Sequence, residues 1–139
     1  MRCEEIMKRK VECLSPKETV QNAAKRMRET NTGFLPICDG GGRVLGTLTD
    51  RDITVRLVAE NRSANDPVDS IMSTEVIACR PNDDLRRAAE MMGKHRKSRI
   101  LVMDDGKLVG VISLSDIAHV DAKNAAVAMS QVTMREARA

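Results

Sequence analysis

Two stretches of this 139-residue chain carry the same arrangement of groups able to hold a polar ligand. They are Gly46-Thr47-Leu48-Thr49-Asp50-Arg51-Asp52 and Gly110-Val111-Ile112-Ser113-Leu114-Ser115-Asp116. Each ends a strand-like run in a hydroxyl residue, with a carboxylate three positions on. The hydroxyl falls where a helix N-cap belongs, and the free N–H groups there attract anions. The carboxylate, one turn into the helix, can accept two hydrogen bonds from a vicinal diol such as that of ribose. The same spacing is also a capping box, in which Thr49 and Ser113 only cap and Asp52 and Asp116 only favour the helix dipole. Spacing alone leaves both readings open.

Further polar candidates gather near the second stretch. Lys94, His95, Arg96, Lys97 and Arg99 form a basic cluster. Arg99 and Lys97 are candidates to pair with phosphate oxygens, against a solvated helix end whose cations favour the C-terminal dipole. Arg51 could reach a phosphate or form a surface salt bridge. Catalysis has no support: there is no P-loop, no metal-ligand run and no duplicated His/Cys/Asp constellation. His119 reads as structural or exposed. Cys3, Cys13, Cys38 and Cys79 show no C-x-x-C spacing and no histidine pair, so they read as reduced, small apolar residues rather than zinc ligands.

The elements that must position these groups come from a duplication. Ile6-Met7 recurs as Ile71-Met72, Pro16 as Pro81, Ala23-Ala24 as Ala88-Ala89 and Met27 as Met92, all offset by 65. Past Gly40-Gly41-Gly42 the offset becomes 64, matching Gly46 to Gly110 and Asp52 to Asp116. A one-residue change confined to a turn is what two copies of one fold tolerate. In each copy a short helix precedes an extended stretch, then an amphipathic helix capped by Thr19 or Asp84. Its apolar stripe is Val20, Ala23, Ala24 and Met27, or Leu85, Ala88, Ala89 and Met92. Strands Phe34–Cys38 with 44–48, and 99–103 with 108–112, join through Asp/Gly turns as hairpins. A second helix starts at Thr49 or Ser113.

These elements predict an α/β (α+β) fold of two pseudo-symmetric repeats, 1–62 and 68–121, with a linker at 63–67. Each repeat is read as a small three-stranded sheet with flanking helices. A unit of about 60 residues is marginal alone, so the sheets are expected to pack face to face and leave two equivalent clefts. Residues 122–139 read as a helical tail, packed on a partner chain or exposed.

Composition narrows the function. One Phe, no Trp and no Tyr leave nine Met to fill the core, and bases have no aromatic platform to stack on. A net charge of +3 with interspersed signs permits an anionic ligand without demanding DNA. No apolar run approaches a membrane span and residues 1–10 lack a signal-peptide core, so a cytoplasmic protein is expected.

The duplicated pattern resembles the CBS domain, called the Bateman module when paired. The resemblance runs from about Glu4 to Val120 and is anchored on Glu5-Ile6-Met7, Leu35-Pro36-Ile37-Cys38-Asp39 and the Gly46 stretch. In the second copy the anchors are Ser70-Ile71-Met72, the strand from Arg99 and the Gly110 stretch. The resemblance implies a regulatory pair that binds AMP, ADP, ATP or a related adenosyl ligand and catalyses nothing. It implies ribose on Asp52 and Asp116, and phosphate on Thr49 and Ser113 with Arg99. Phe34 stands at the Arg99 position of the first copy, so phosphate affinity should differ between the two sites. Adenine is expected against Val11, Cys13, Ile37, Val76, Ala78 and Val102. A homodimer is implied, with output through an unknown effector protein. The rivals are a ligand-free dimerisation or interaction module and, with less in its favour, nucleic-acid binding by the 94–99 patch. No metal and no membrane partner is implied.

Overall fold

A computed structural model describes residues 1–134. In chain order its α-helices are α1 (Val20–Thr30), α2 (Asp50–Asp52), which continues into a π-helical stretch (Ile53–Val58), α3 (Leu85–His95), α4 (Leu114–Val120) and α5 (Ala122–Val132). Its strands are β1 (Phe34–Cys38), β2 (Val44–Thr49), β3 (Ala78–Cys79), β4 (Arg99–Asp104) and β5 (Lys107–Ser113). Short 3-10 turns at Cys3–Glu5 and Val68–Ser70 carry the residues ahead of each Ile-Met pair.

The chain divides into two compact units that do not follow the repeat boundaries. One, here the Asp52 unit, is Glu12–Val76. The other, the Asp116 unit, joins Met1–Val11 to the described residues from Ile77 onward. The repeats therefore trade their leading segments. Lys8 exchanges backbone hydrogen bonds with Val111 on β5 (2.9 and 3.0 Å), and Ser73 does the same with Thr47 on β2 (2.9 Å each). Segment 63–67, expected as the linker, is bound inside the Asp52 unit. The N–H groups of Val20 and Gln21, which have no acceptor within α1 itself, donate to the Asp66 and Ala64 carbonyls at 2.9 Å.

In the Asp116 unit, β3 runs parallel to β4 and β4 antiparallel to β5. The β4–β5 turn is Asp105-Gly106, with φ of 51° and 77°, the left-handed pair of a two-residue hairpin. The Asp52 unit keeps the β1–β2 hairpin, but its third strand shrinks to one parallel bridge, Leu14 to Ile37. Both hairpins carry a register break at the same place, Ile37/Cys38 and Val102/Met103. The bulge survives duplication.

Local chemistry explains the helices. Thr19 accepts from the Asn22 N–H (3.1 Å) and Asp84 from the Arg86 N–H (2.8 Å), capping α1 and α3 as their sequences predict. Both helices end in a left-handed residue, Asn31 or Arg96, after which Thr32 and Lys97 donate back to Met27 and Met92. The α3 stripe Leu85, Ala88, Ala89 and Met92 is wholly buried. On α1, Val20, Ala23 and Met27 are buried but Ala24 is exposed, contrary to expectation. The difference is α5, which packs across α3 and α4; among the described residues no helix packs comparably against α1.

Helix α5 corrects the reading of 122–139 as a tail that seeks a partner or lies exposed. Ala125, Ala128 and Val132 join the core of the Asp116 unit with Met92, Ile112 and Ile117. At Gly93, an added Cβ would meet only the flexible Gln131 side chain of α5, whose tip can turn aside. The last five positions of that segment, 135–139, lie outside the described residues.

Candidate functional site

Each repeated motif folds into a strand that stops at a capped helix. Thr49 Oγ1 accepts from the Asp52 N–H (3.0 Å) while Asp52 Oδ2 accepts from the Thr49 N–H (2.9 Å). Ser113 Oγ accepts from the Asp116 N–H (3.1 Å) and Asp116 Oδ2 accepts from the Ser113 N–H (2.9 Å). Ser115 adds a hydroxyl 2.9 Å from Ser113 Oγ. The cap is thus a real structural role. It also fixes each carboxylate by one oxygen and leaves the other turned to a cation at the long end of ion-pair range. Asp52 Oδ1 faces Arg56 Nε at 3.8 Å, and Asp116 Oδ1 faces Lys8 Nζ at 3.9 Å. Both cations are more than half exposed, so these pairs are weak and yield readily.

The motif glycines are required by close approach. A Cβ on Gly46 would lie 2.5 Å from the Ser73 carbonyl oxygen and 2.8 Å from Met72 Sδ. On Gly110 it would lie 2.7 Å from Met7 Sδ and 3.0 Å from the Lys8 carbonyl oxygen. The duplicated Ile-Met pairs and the duplicated glycines are therefore two sides of one contact, which seats Lys8 and Ser73 beside the sheet edges.

Sheet register gathers the other groups. Arg99 lies directly across from Ser113. Two residues along, Ala78, Leu101, Val111 and Lys8 form a row across the sheet. Period-two alternation puts that row on the same face as Arg99 and Ser113. Ile100, Val102 and Ile112 take the opposite, helix-packed face. In the Asp52 unit Phe34 lies across from Thr49, and the neighbouring row is Pro36, Thr47 and Ser73.

The expected site residues separate accordingly. Asp116, Ser113 and Arg99 are brought together, as are Asp52 and Thr49. Arg51 and Lys97 are exposed. Val11, Cys13, Val76 and Ala78 are half-buried. Ile37 and Val102 are corrected: both are 0% exposed and sit in the helix-side cores, with no surface to offer a base. Their parity is the reason, since only alternate strand residues reach the other face.

Lys8 and Arg56 were missed. Arg56 had a local signal, four positions after Asp52 on one helical face. Its Nη1 also donates to the Ile71 and Met72 carbonyls, both at 3.2 Å. Lys8 had none, because it reaches Asp116 only through the segment exchange. Among the described residues, no three His, Cys, Asp or Glu side chains gather as a metal-ligand set. No helix among them is long and apolar enough to cross a membrane.

Among the described residues, a mixed fold of two small sheets with five α-helices, built on two copies of one strand-to-capped-helix site, defines a paired regulatory module. The CBS domain family profile matches twice, at residues 3–59 and 68–123, and the chain belongs to that family. It is 38% identical over 114 residues to the CBS domain-containing protein YhcV of Bacillus subtilis, covering 82% of this chain and 81% of that one. It is 33% identical over 116 residues to hypoxic response protein 1 of Mycobacterium tuberculosis, covering 83% and 81%. A crystal structure of Hypoxic Response Protein I with two coordinated zinc ions matches with a TM-score of 0.79 at 30% identity, covering 86% of this chain and 98% of that one. The CBS domain pair of protein MJ0100, solved in complex with 5-methylthioadenosine and S-adenosyl-L-methionine, matches with a TM-score of 0.77 at 26% identity, covering 88% and 96%.

Proposed function

We propose that this CBS pair is a cytoplasmic sensor of adenosine-type ligands. In this reading Asp52 and Asp116 hold ribose hydroxyls through the oxygens their caps leave over. The observation that carries it is the duplicated cap, which fixes a carboxylate at the helix start that ends each central hairpin and leaves one of its oxygens outside the cap. The MJ0100 pair, solved with two adenosyl compounds, supports the ligand class.

Charge supports a division of labour between the two sites. The Asp116 unit sets Arg99 across from Ser113 and runs the exposed Lys8, Arg9 and Lys10 past β5. Their counterparts in the Asp52 unit are Phe34 and Ser73, Thr74, Glu75. AMP, ADP or ATP therefore belongs at Asp116, with phosphate on Ser113, Arg99 and Lys97. An adenosyl ligand without phosphate suits Asp52 and Thr49, where Phe34 stands in the place of Arg99 and Arg51 and Arg56 are the nearby cations. Half-buried Ala78 and Val11 in one unit, and Cys13 and Val76 in the other, remain the proposed adenine contacts. Binding changes the balance between two arrangements of a homodimer only by its differential affinity for them, and an effector protein reads the change.

Calorimetry with AMP, ADP, ATP, 5-methylthioadenosine and S-adenosylmethionine tests this. Asp116→Ala is expected to weaken the phosphate-bearing ligands roughly 10- to 100-fold, the loss of charge-assisted hydrogen bonds. Unchanged affinity would refute the ribose assignment. No heat from any of the five would favour a ligand-free interaction module.

A further inference from the structure

We propose that Cys13 and Cys38 are an oxidation site, at which hydrogen peroxide converts two thiols into an intramolecular disulfide. In the Asp52 unit the Cys38 thiol donates to Cys13 Sγ across 2.9 Å. Closing that gap to a bond of roughly 2.05 Å takes less than an ångström of movement. The backbone holds the pair in place. The Leu14 N–H donates to the Pro36 carbonyl and the Cys38 N–H to the Leu14 carbonyl, each at 2.9 Å. The sulfurs are therefore adjacent before any reaction, and little chain ordering is left to oppose the bond.

Exposure differs between the two cysteines. Cys13 is half-buried, open to a small oxidant, whereas Cys38 is 6% exposed. Burial, then the hydrogen bond with Cys13, pushes the Cys38 thiol up to about 12. Cys13 is thus the sulfur that attacks first. Its thiolate displaces hydroxide from the peroxide, giving a sulfenic acid, and that hydroxide takes a proton to become water. Cys38 sulfur then attacks the sulfenyl sulfur. The leaving hydroxide carries off the Cys38 proton as a second water. Two thiols and one peroxide become one disulfide and two waters.

The other cysteine pair is an internal contrast. The Cys79 thiol donates to Cys3 Sγ at 3.6 Å, but these residues are 4% and 0% exposed. Similar chemistry without access should stay reduced under the same treatment.

The test treats the reduced full chain with a small excess of hydrogen peroxide, alkylates it in denaturant with N-ethylmaleimide and maps the peptides by mass spectrometry. Two of the four cysteines are expected to escape alkylation, in a peptide that joins position 13 to position 38. Dithiothreitol should restore all four. Cys13→Ser should abolish the cross-link and Cys3→Ser should leave it. The proposal is overturned by four fully alkylated cysteines, by sulfinic acid on Cys13 without a cross-link, by a link to a second chain, or by a Cys3–Cys79 link forming as fast.

Discussion

Asp52 and Asp116 divide their oxygens between two tasks. One oxygen closes the cap on its own backbone, at 2.9 Å in both copies, and the other is left to an exposed cation. A cap that orients a carboxylate does not compete with ligand binding, so the two readings of the spacing are compatible. The cysteines show the opposite case, in which residue type was legible and partnership was not. Nothing in the numbers 13 and 38 signals a shared contact, because the register break at Ile37/Cys38 and the single Leu14 bridge create it. That contact has a pH signature. The Cys38 thiol is pushed from its ordinary 9.0 up to about 12, by burial first and then by Cys13. The folded chain holds this proton more tightly than the unfolded chain, so the contribution is full below pH 9.0 and is lost as pH rises through about 12. Urea midpoints should therefore fall across that window more steeply in the native sequence than in Cys38→Ser. Parallel curves would contradict the assignment.

At the scale of elements, the amphipathic helices, their caps and both hairpins were readable, since each is specified within a few residues. What resisted reading was set by contacts distant in sequence. Ala24 occupies a stripe position yet is exposed, and α5 joins a core although its own pattern reads equally well as a surface helix. The segment exchange was hidden for the same reason, although the duplicated Met and Gly residues are its two halves. This makes a comparison between substitutions. Overpacking costs roughly 1–3 kcal/mol, and both Gly46→Ala and Gly110→Ala should incur it. Gly46→Ala should be the worse, because its Cβ meets a backbone carbonyl at 2.5 Å, while at Gly110 the nearest atom is the thioether of Met7 at 2.7 Å. A thioether can swing aside; a paired carbonyl cannot. Chemical denaturation measures the difference, and equal or reversed costs would contradict the contact.

Across the whole molecule, the duplication was the decisive signal, because a 65-residue offset kept over helices and strands needs no structure to be seen. It fixed the family and the fold class. It did not reveal that compact units and repeats are cut at different places, since a repeat records ancestry and a unit records contacts. Nor did it distinguish the face of each strand, which is why Ile37 and Val102 were placed with the ligand rather than in the cores. The charge difference between the units was partly visible in Phe34 against Arg99, and the structure adds Lys8 against Ser73. The most direct test of paired adenosine sites is native mass spectrometry of the chain with ATP and S-adenosylmethionine supplied together. The account predicts one ligand of each kind per chain, with ATP lost in Asp116→Ala, S-adenosylmethionine lost in Asp52→Ala, and both lost in the double variant. Retention of both ligands by the double variant would contradict it.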